Sequence, residues 1–369
     1  MRKMVTVFGA VLMSISLAAC GGQKTEDPAA AAGSELSSGI PSAVEGNMEG
    51  TEGGQADISD LAESVADGGN AEESAGGAEE KPDTIKVTSL NGEDKKIELE
   101  VPYDPERVAV LDMAALDMLD NWGLGDRVVG MPKSSKIDYL MDYNNNEEIV
   151  NLGTLKEVDM EALMSSEPDI IFIGGRLSGQ YDKLSEIAPV IYTATDYETG
   201  LVESIKDNSL MIASIFGVED KARETLAGFD ERIAALAKEA EGKTAVIGMV
   251  TSSNFNTLGD GSRCSLIGNE IGFNNLANNV DSTHGNESSF ELLVSLNPEY
   301  IFVLDRDSAI NTEGAKLAEQ VMDNELVQKT SAYQNDRIVY LTPTVWYLAE
   351  GGITAMDVML RDLENGMGK

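Results

Sequence analysis

The chain writes one pattern of apolar and polar positions twice. "MEALMSSEPDIIFIGGR" (Met160–Arg176) and "FELLVSLNPEYIFVLDR" (Phe290–Arg306) align without a gap. Each is a helical stretch, a proline break, a continuous apolar run and a final arginine. Short apolar runs between turn signals predict strands buried on both faces. The same alternation continues around each copy. "IKVTSL" and "KIELEV" alternate about Asn91-Gly92 and predict a hairpin. "RVAVL" reads as a strand, "MAALDMLDNWG" as a helix stopped by Gly123, and "RVVGM" as a second strand. Asp159 caps the helix "MEALMSS"; "DIIFIG" is a strand, "GQYDKLSEIA" a helix and "PVIYTA" a strand. From Glu198 to Glu241 the period is helical throughout, broken once near Gly217. A second series then starts: strand "KTAVIGMV" with its hairpin partner "FNTLG", and helix "SLIGNEIGF" ending near Gly272. Helix "SSFELLVSLN" follows, with Ser288 and Glu291 at capping-box spacing. Strand "YIFVLD", helix "GAKLAEQVMDN", strand "RIVYLT" and a closing helix "TAMDVMLRDLE" complete it.

Strands alternating with helices predict an α/β fold with right-handed crossovers. Two similar series around one long helical stretch predict two lobes, each with a central mostly parallel sheet flanked by helices. The expected boundaries are an N-terminal lobe at 83–218, a connector helix at 219–241 and a C-terminal lobe at 242–369.

The first 82 residues follow another logic. Arg2 and Lys3, the apolar run Val5–Leu17 and the small residues before Cys20 make a secretory signal. Its Leu17-Ala18-Ala19-Cys20 ending resembles a bacterial lipoprotein lipobox. That resemblance implies a signal peptide at 1–19, cleavage before Cys20 and lipidation of its thiol, which would hold the protein at a membrane surface. Residues 20–82 are rich in Gly, Ala, Ser and Glu, with Lys24 and Lys81 the only cations. Such a segment buries too little apolar surface to offset ordering, so it reads as a flexible tether with a reach of about 45 Å.

The net charge of −37 argues against a nucleic-acid partner. With Cys20 lipidated, Cys264 is the one remaining cysteine, no intrachain disulfide is available, and Cys264 reads as a packing residue. Catalytic signatures are missing: no Gly-x-Ser-x-Gly elbow, no P-loop, and one histidine, His284, in the whole chain. The chain is therefore expected not to be an enzyme and to carry no intrinsic cofactor. A single histidine does not make a metal site, although it can give one bond to an already chelated ion.

The repeat places chemistry as well as structure. In a parallel layer the crossover helix starts near the carboxyl edge of the sheet, and the next strand returns to it. Glu161 and Arg176 therefore share one edge of the first lobe, and Glu291 and Arg306 the matching edge of the second. Ligands of open α/β sheets bind outside that edge. An arginine from each wall suits anionic oxygens, although Asp305 beside Arg306 offers it a local partner. The glutamates also fit a helix N-terminus as such. A third arginine, Arg263, lies in the Gly-rich loop "GDGSRCSLIGNEIG".

Over residues 84–369 the chain resembles class III substrate-binding lipoproteins of ABC importers, the cluster that binds ferric siderophores, cobalamin and haem. The resemblance rests on "YDPERVAVLDMAALDMLDNWGLGDRVVGMP", "EPDIIFIGGR", "EIAPVI", "NPEYIFVLDR" and "VYLTPTVWYLAEGG". "GGRLSGQYDKLSEIAP" and "SRCSLIGNEIGF" are most similar to the branch for ferric catecholates of the enterobactin-fragment and petrobactin type. It implies an Fe(III)–siderophore ligand held by Arg176, Arg263 and Arg306, with His284, Trp346 and Tyr347 beside it. His284 matches a histidine that in some members binds the chelated iron. The matching iron-binding tyrosine stands just before the Trp-Tyr pair, where this chain has Val345. Glu161 and Glu291 match the residues that dock on the ABC permease, which works with its ATPase. The implied protein is a monomer, lipid-anchored at the outer face of the bacterial cytoplasmic membrane. The same resemblance leaves haem or a cobalamin-type corrinoid as the alternative ligand.

Overall fold

In the computed structural model the described residues run from 81 to 368, except 198, 280–285 and 288–289, with backbone alone at 286–287. The signal, Cys20, His284 and the Ser288 cap lie outside them.

Strands β1 (Thr84–Leu90) and β2 (Lys96–Pro102) form the expected hairpin, paired antiparallel from Thr84↔Pro102 to Leu90↔Lys96. Its connection is longer than a tight Asn-Gly corner. The Asn91 side chain accepts from the N–H groups of Glu93 and Lys95, and the positive φ falls at Asp94 (58°). Gly92 is needed for close approach instead: a Cβ there would lie 3.0 Å from the Ser178 carbonyl oxygen.

The first lobe is built on β3 (Val108–Leu111), β4 (Val128–Met131), β5 (Val150–Asn151), β6 (Ile170–Ile173) and β7 (Val190–Tyr192). All are parallel, in the order β5-β4-β3-β6-β7. The second lobe holds β8 (Thr244–Thr251), β9 (Asn254–Leu258), β10 (Asn274–Asn275), β11 (Asn286–Glu287), β12 (Tyr300–Asp305) and β13 (Ile338–Leu341). Its order is β11-β9-β8-β12-β13, with β10 also beside β8. Strands β8, β12 and β13 run parallel, while β9 is antiparallel to β8 as its hairpin partner. The connector helix Glu219–Ala240 joins the lobes; helix Leu201–Phe216 before it ends at Gly217, whose φ is 65°. Strands β5, β10 and β11 have two residues each, too few to leave a period in the sequence. "GAKLAEQVMDN" is helical only over Ala318–Met322, and "SLIGNEIGF" forms π-helical turns over Leu266–Glu270.

The apolar runs work with a period of two. In β6, Ile170 and Phe172 enter one core, while Ile171 and Ile173 enter another. In β12, Tyr300, Phe302 and Leu304 join that same first core, while Ile301 and Val303 face a third. One face of each sheet therefore packs into apolar material shared by both lobes, and the connector helix adds Leu226, Phe229 and Leu236 to it. The closing helix, Ile353–Gly366, belongs to the same core through Met356, Met359, Leu360 and Leu363.

That closing helix is fastened to both lobes. Arg232 of the connector helix donates to Glu364 and Asp357 at 2.7 Å each. Asp117, fully buried on the first lobe's helix Met113–Asn121, accepts from the N–H groups of Thr354 at 2.8 Å and Ala355 at 2.9 Å. A carboxylate from one lobe thus caps a helix of the other, satisfying donors that a helix start leaves open. The Tyr139 hydroxyl donates to the same carboxylate. Burial pushes the Asp117 carboxyl up to about 6, against an ordinary 3.8. Because the folded value is the higher one, burial favours the protonated form. The group's contribution to stability is fully present below about pH 4 and is lost as pH rises through about 6. Against Asp117→Asn, which cannot ionise, the native chain is expected to lose about 3 kcal/mol between those limits. Paired urea melts of the two proteins across this range check it; parallel pH curves would refute it.

Candidate ligand-binding site

The strand ends place the candidate residues. After β6, Gly174 carries the chain over Asp112, where a Cβ would come within 2.6 Å of the carboxylate, and Arg176 follows beyond the sheet edge. Asp112 itself caps the helix Met113–Asn121, accepting from Ala115 N–H at 3.1 Å. In the second lobe Arg306 follows directly on β12. Asp305, its neighbour in sequence, does not pair with it. Its carboxylate is committed to the Ser308 N–H at 2.9 Å, the Ser308 hydroxyl at 2.7 Å and the Ala318 N–H at 2.8 Å. The acid beside Arg306 is Asp307 at 3.4 Å, and Asp307 is 2% exposed.

After β13 comes a short helix, Pro343–Leu348, that strand-and-helix patterning does not single out. Proline at its first position is the signal that could have found it. Its two aromatics have different fates. Trp346, expected beside the ligand, is 0% exposed, and its indole N–H donates to Asp362 at 2.8 Å. It packs in the shared core because the helix turns its indole toward the closing helix, which carries Asp362. Tyr347 faces the arginines. Val345, just before the pair, is buried.

All three arginines converge on Tyr347. Arg306 Nε donates to its hydroxyl at 3.0 Å, and Arg306 Nη1 donates to Thr251 Oγ1 at 3.1 Å. Arg263 Nη1 donates to the carbonyls of Trp346 at 3.0 Å and Tyr347 at 3.1 Å. Arg176 Nη2 crosses from the first lobe to the Tyr347 carbonyl at 3.1 Å. The guanidinium carbons of Arg176, Arg263 and Arg306 lie 5.7, 4.4 and 5.7 Å from the centre of the Tyr347 ring. A π-face attracts cations at such distances. Arg176 remains exposed, whereas Arg263 and Arg306 are half-buried. Among the described residues the buried Arg263 Nε has no hydrogen-bond partner.

Three gathered guanidiniums need a counter-charge, and Glu350 supplies it. Its carboxylate lies 3.8 Å from Arg263 Nη1. It accepts from Cys264 N–H at 2.9 Å and from the Tyr197 hydroxyl of the first lobe at 2.9 Å. Burial raises the Glu350 carboxyl, opposed by Arg263 and by both hydrogen bonds. Burial works against the charge on Arg263, yet Glu350 carries its value upward overall. Cys264 is fully buried and its thiol is pushed well up by burial, consistent with a packing role. Glu350, Asp307 and Tyr197 were not singled out from the sequence. Glu350 had one visible sign, a lone acid in the apolar stretch "VWYLAEGG"; Tyr197 had none.

Glu161 and Glu291 stand exposed in the first turns of helices Met160–Ser165 and Phe290–Leu296, as expected from the repeat. Among the described residues no cluster of three or more His, Cys, Asp or Glu side chains could hold a metal.

Two α/β lobes joined by one connector helix are the architecture of a class III periplasmic binding protein. The chain belongs to the periplasmic binding protein family, whose model matches residues 108–345. It is 34% identical over 307 residues to the petrobactin-binding protein YclQ of Bacillus subtilis, covering 82% of this chain and 94% of that one. The crystal structure of YclQ superposes with a TM-score of 0.72, covering 77% of this chain and 99% of its own. The ferric-anguibactin-binding protein FatB of Vibrio anguillarum is 27% identical, covering 71% of this chain and 82% of its own. The catecholate-siderophore-binding protein VctP of Vibrio cholerae is 30% identical with a TM-score of 0.69, covering 76% of this chain and 100% of its own.

The two aromatics should separate in stability. Trp346→Phe, which cuts a buried indole and removes one of the hydrogen bonds to Asp362 while Thr342 keeps the others, is expected to lower the unfolding free energy by about 2–4 kcal/mol. Tyr347→Phe, which removes one hydroxyl, should lower it by about 1 kcal/mol. Guanidinium melts of both variants decide it; equal losses would contradict the assigned surroundings.

Proposed function

We propose that this protein is the extracytoplasmic substrate-binding component of an ABC importer, capturing an anionic ferric siderophore of catecholate type between its lobes. The observation that carries the reading is the convergence of Arg176 from one lobe with Arg263 and Arg306 from the other on a single phenol ring. Catecholate oxygens on iron present the planar, anionic acceptors that guanidiniums recognise best, and a partly desolvated cleft strengthens such pairs. The relatives named for petrobactin, anguibactin and catecholates favour a siderophore over haem or a corrinoid. The family of substrate-binding transport proteins supports a binding role, with the charged groups fixed to one another as donors and counter-ions.

Delivery would use Glu161 and Glu291, one exposed carboxylate per lobe, against cations on the permease. Cys20 would carry the lipid anchor, with residues 20–82 as the tether. The chain would act as a monomer at the outer face of the cytoplasmic membrane, and His284 would reach iron only in a chelate that leaves a position open.

Titration followed by tryptophan fluorescence tests the reading, because Trp346 lies next in sequence to Tyr347 and its emission should report iron at the site. A ferric catecholate is expected to quench at sub-micromolar concentration. Arg263→Ala should weaken binding by about tenfold to a hundredfold, the worth of charge-assisted hydrogen bonds. Quenching by haem or a corrinoid alone would overturn it. Because the closing helix is fastened to both lobes, small-angle scattering with and without the chelate should be closely similar; a large compaction would contradict this.

A further inference from the structure

The two arginines that the second lobe gives to the cluster, Arg263 and Arg306, each already have a buried carboxylate beside them. Asp307 lies 3.4 Å from Arg306, with its side chain 3% exposed. Glu350 lies 3.8 Å from Arg263, with its side chain 4% exposed. Neither acid is a surface partner that salt would screen. Asp307 is held by the Ser252 N–H at 2.6 Å, and Glu350 by Cys264 N–H and the Tyr197 hydroxyl at 2.9 Å each. Among the described residues Arg176 has no carboxylate within ion-pair distance, and it is the exposed member of the trio. Asp112 and Glu350 act on it only through space.

We infer that Glu350 and Asp307 are specificity-determining residues: they set the charge of the cleft, so that it selects ferric chelates of low negative charge over the trianionic tris-catecholate. The inference rests on the siderophore reading above and refines its ligand class. With two guanidiniums partly neutralised before any ligand arrives, the uncompensated positive charge is smaller than three arginines suggest. A trianionic complex would set its excess charge against two buried carboxylates that cannot turn away, each fixed by backbone N–H donors. A monoanionic bis-catecholate complex meets the guanidiniums with far less of that repulsion. Like charges in a partly desolvated site penalise each other more than in water. Glu350 also joins the lobes through Tyr197, so the residue that sets the charge lies on the seam the ligand must occupy.

The experiment compares two probes on the same protein: iron(III) held by a hexadentate tris-catecholate, trianionic, and iron(III) held by a tetradentate bis-catecholate, monoanionic. Affinities are read by fluorescence quenching at two ionic strengths. The native chain should prefer the monoanionic complex. Glu350→Gln keeps an acceptor for Tyr197 and Cys264 but removes the charge, and should shift the affinity ratio toward the trianionic complex by about tenfold or more. Glu350→Asp keeps the charge and should hold the native ratio even if both affinities drop, which a merely structural role would not produce. Asp307→Asn should move the ratio in the same direction as Glu350→Gln, and carries the test if that variant fails to fold. A native preference for the trianionic complex, or a ratio unmoved in the neutral variants, overturns the charge assignment alone. Native protein that binds neither complex overturns the siderophore reading and this inference with it.

Discussion

The capping of the closing helix by Asp117 is the constraint on which the arrangement depends. A carboxylate buried in the first lobe holds the first turn of a helix that belongs in sequence to the second. The same helix carries Asp362, which holds Thr342 and the Trp346 indole, and so fixes the short helix that presents Tyr347. Gly352 makes the fit possible, since a Cβ there would lie 2.5 Å from the Asp117 carboxyl carbon. From the lobe seam to the arginines the connection is a short run of packed, hydrogen-bonded groups.

The arginine cluster shows how a protein holds like charges together. Carbonyl oxygens of Trp346 and Tyr347, a π-face and two buried acids share the work. The carbonyls are free to accept because they sit in the last turn of a short helix, where no intrahelical N–H reaches them. Guanidiniums held in this way keep little side-chain freedom.

Much of this was legible in the chain because burial on both faces of a strand writes a continuous apolar run. The main strands, the connector helix and the Gly217 break follow from that pattern, and the repeat located Arg176 and Arg306 at matching strand ends. The rest depends on partners far apart in sequence. Nothing local distinguishes Trp346, whose indole meets Asp362 on another helix, from Tyr347, which meets the arginines. Asp305 looked like the partner of Arg306 by adjacency, but a helix start claimed it and left Asp307 at the guanidinium. Glu350 is a counter-ion only because the fold brings Arg263 and Tyr197 to it.

The period-two division of β6 and β12 has a thermodynamic consequence. Phe172 of one sheet and Phe302 of the other belong to a single apolar cluster, which also takes in the connector and closing helices. Neither lobe could unfold without exposing the surface that the other buries. The molecule has two separate lobe sheets, yet it should melt as one cooperative unit, with no folded half left behind.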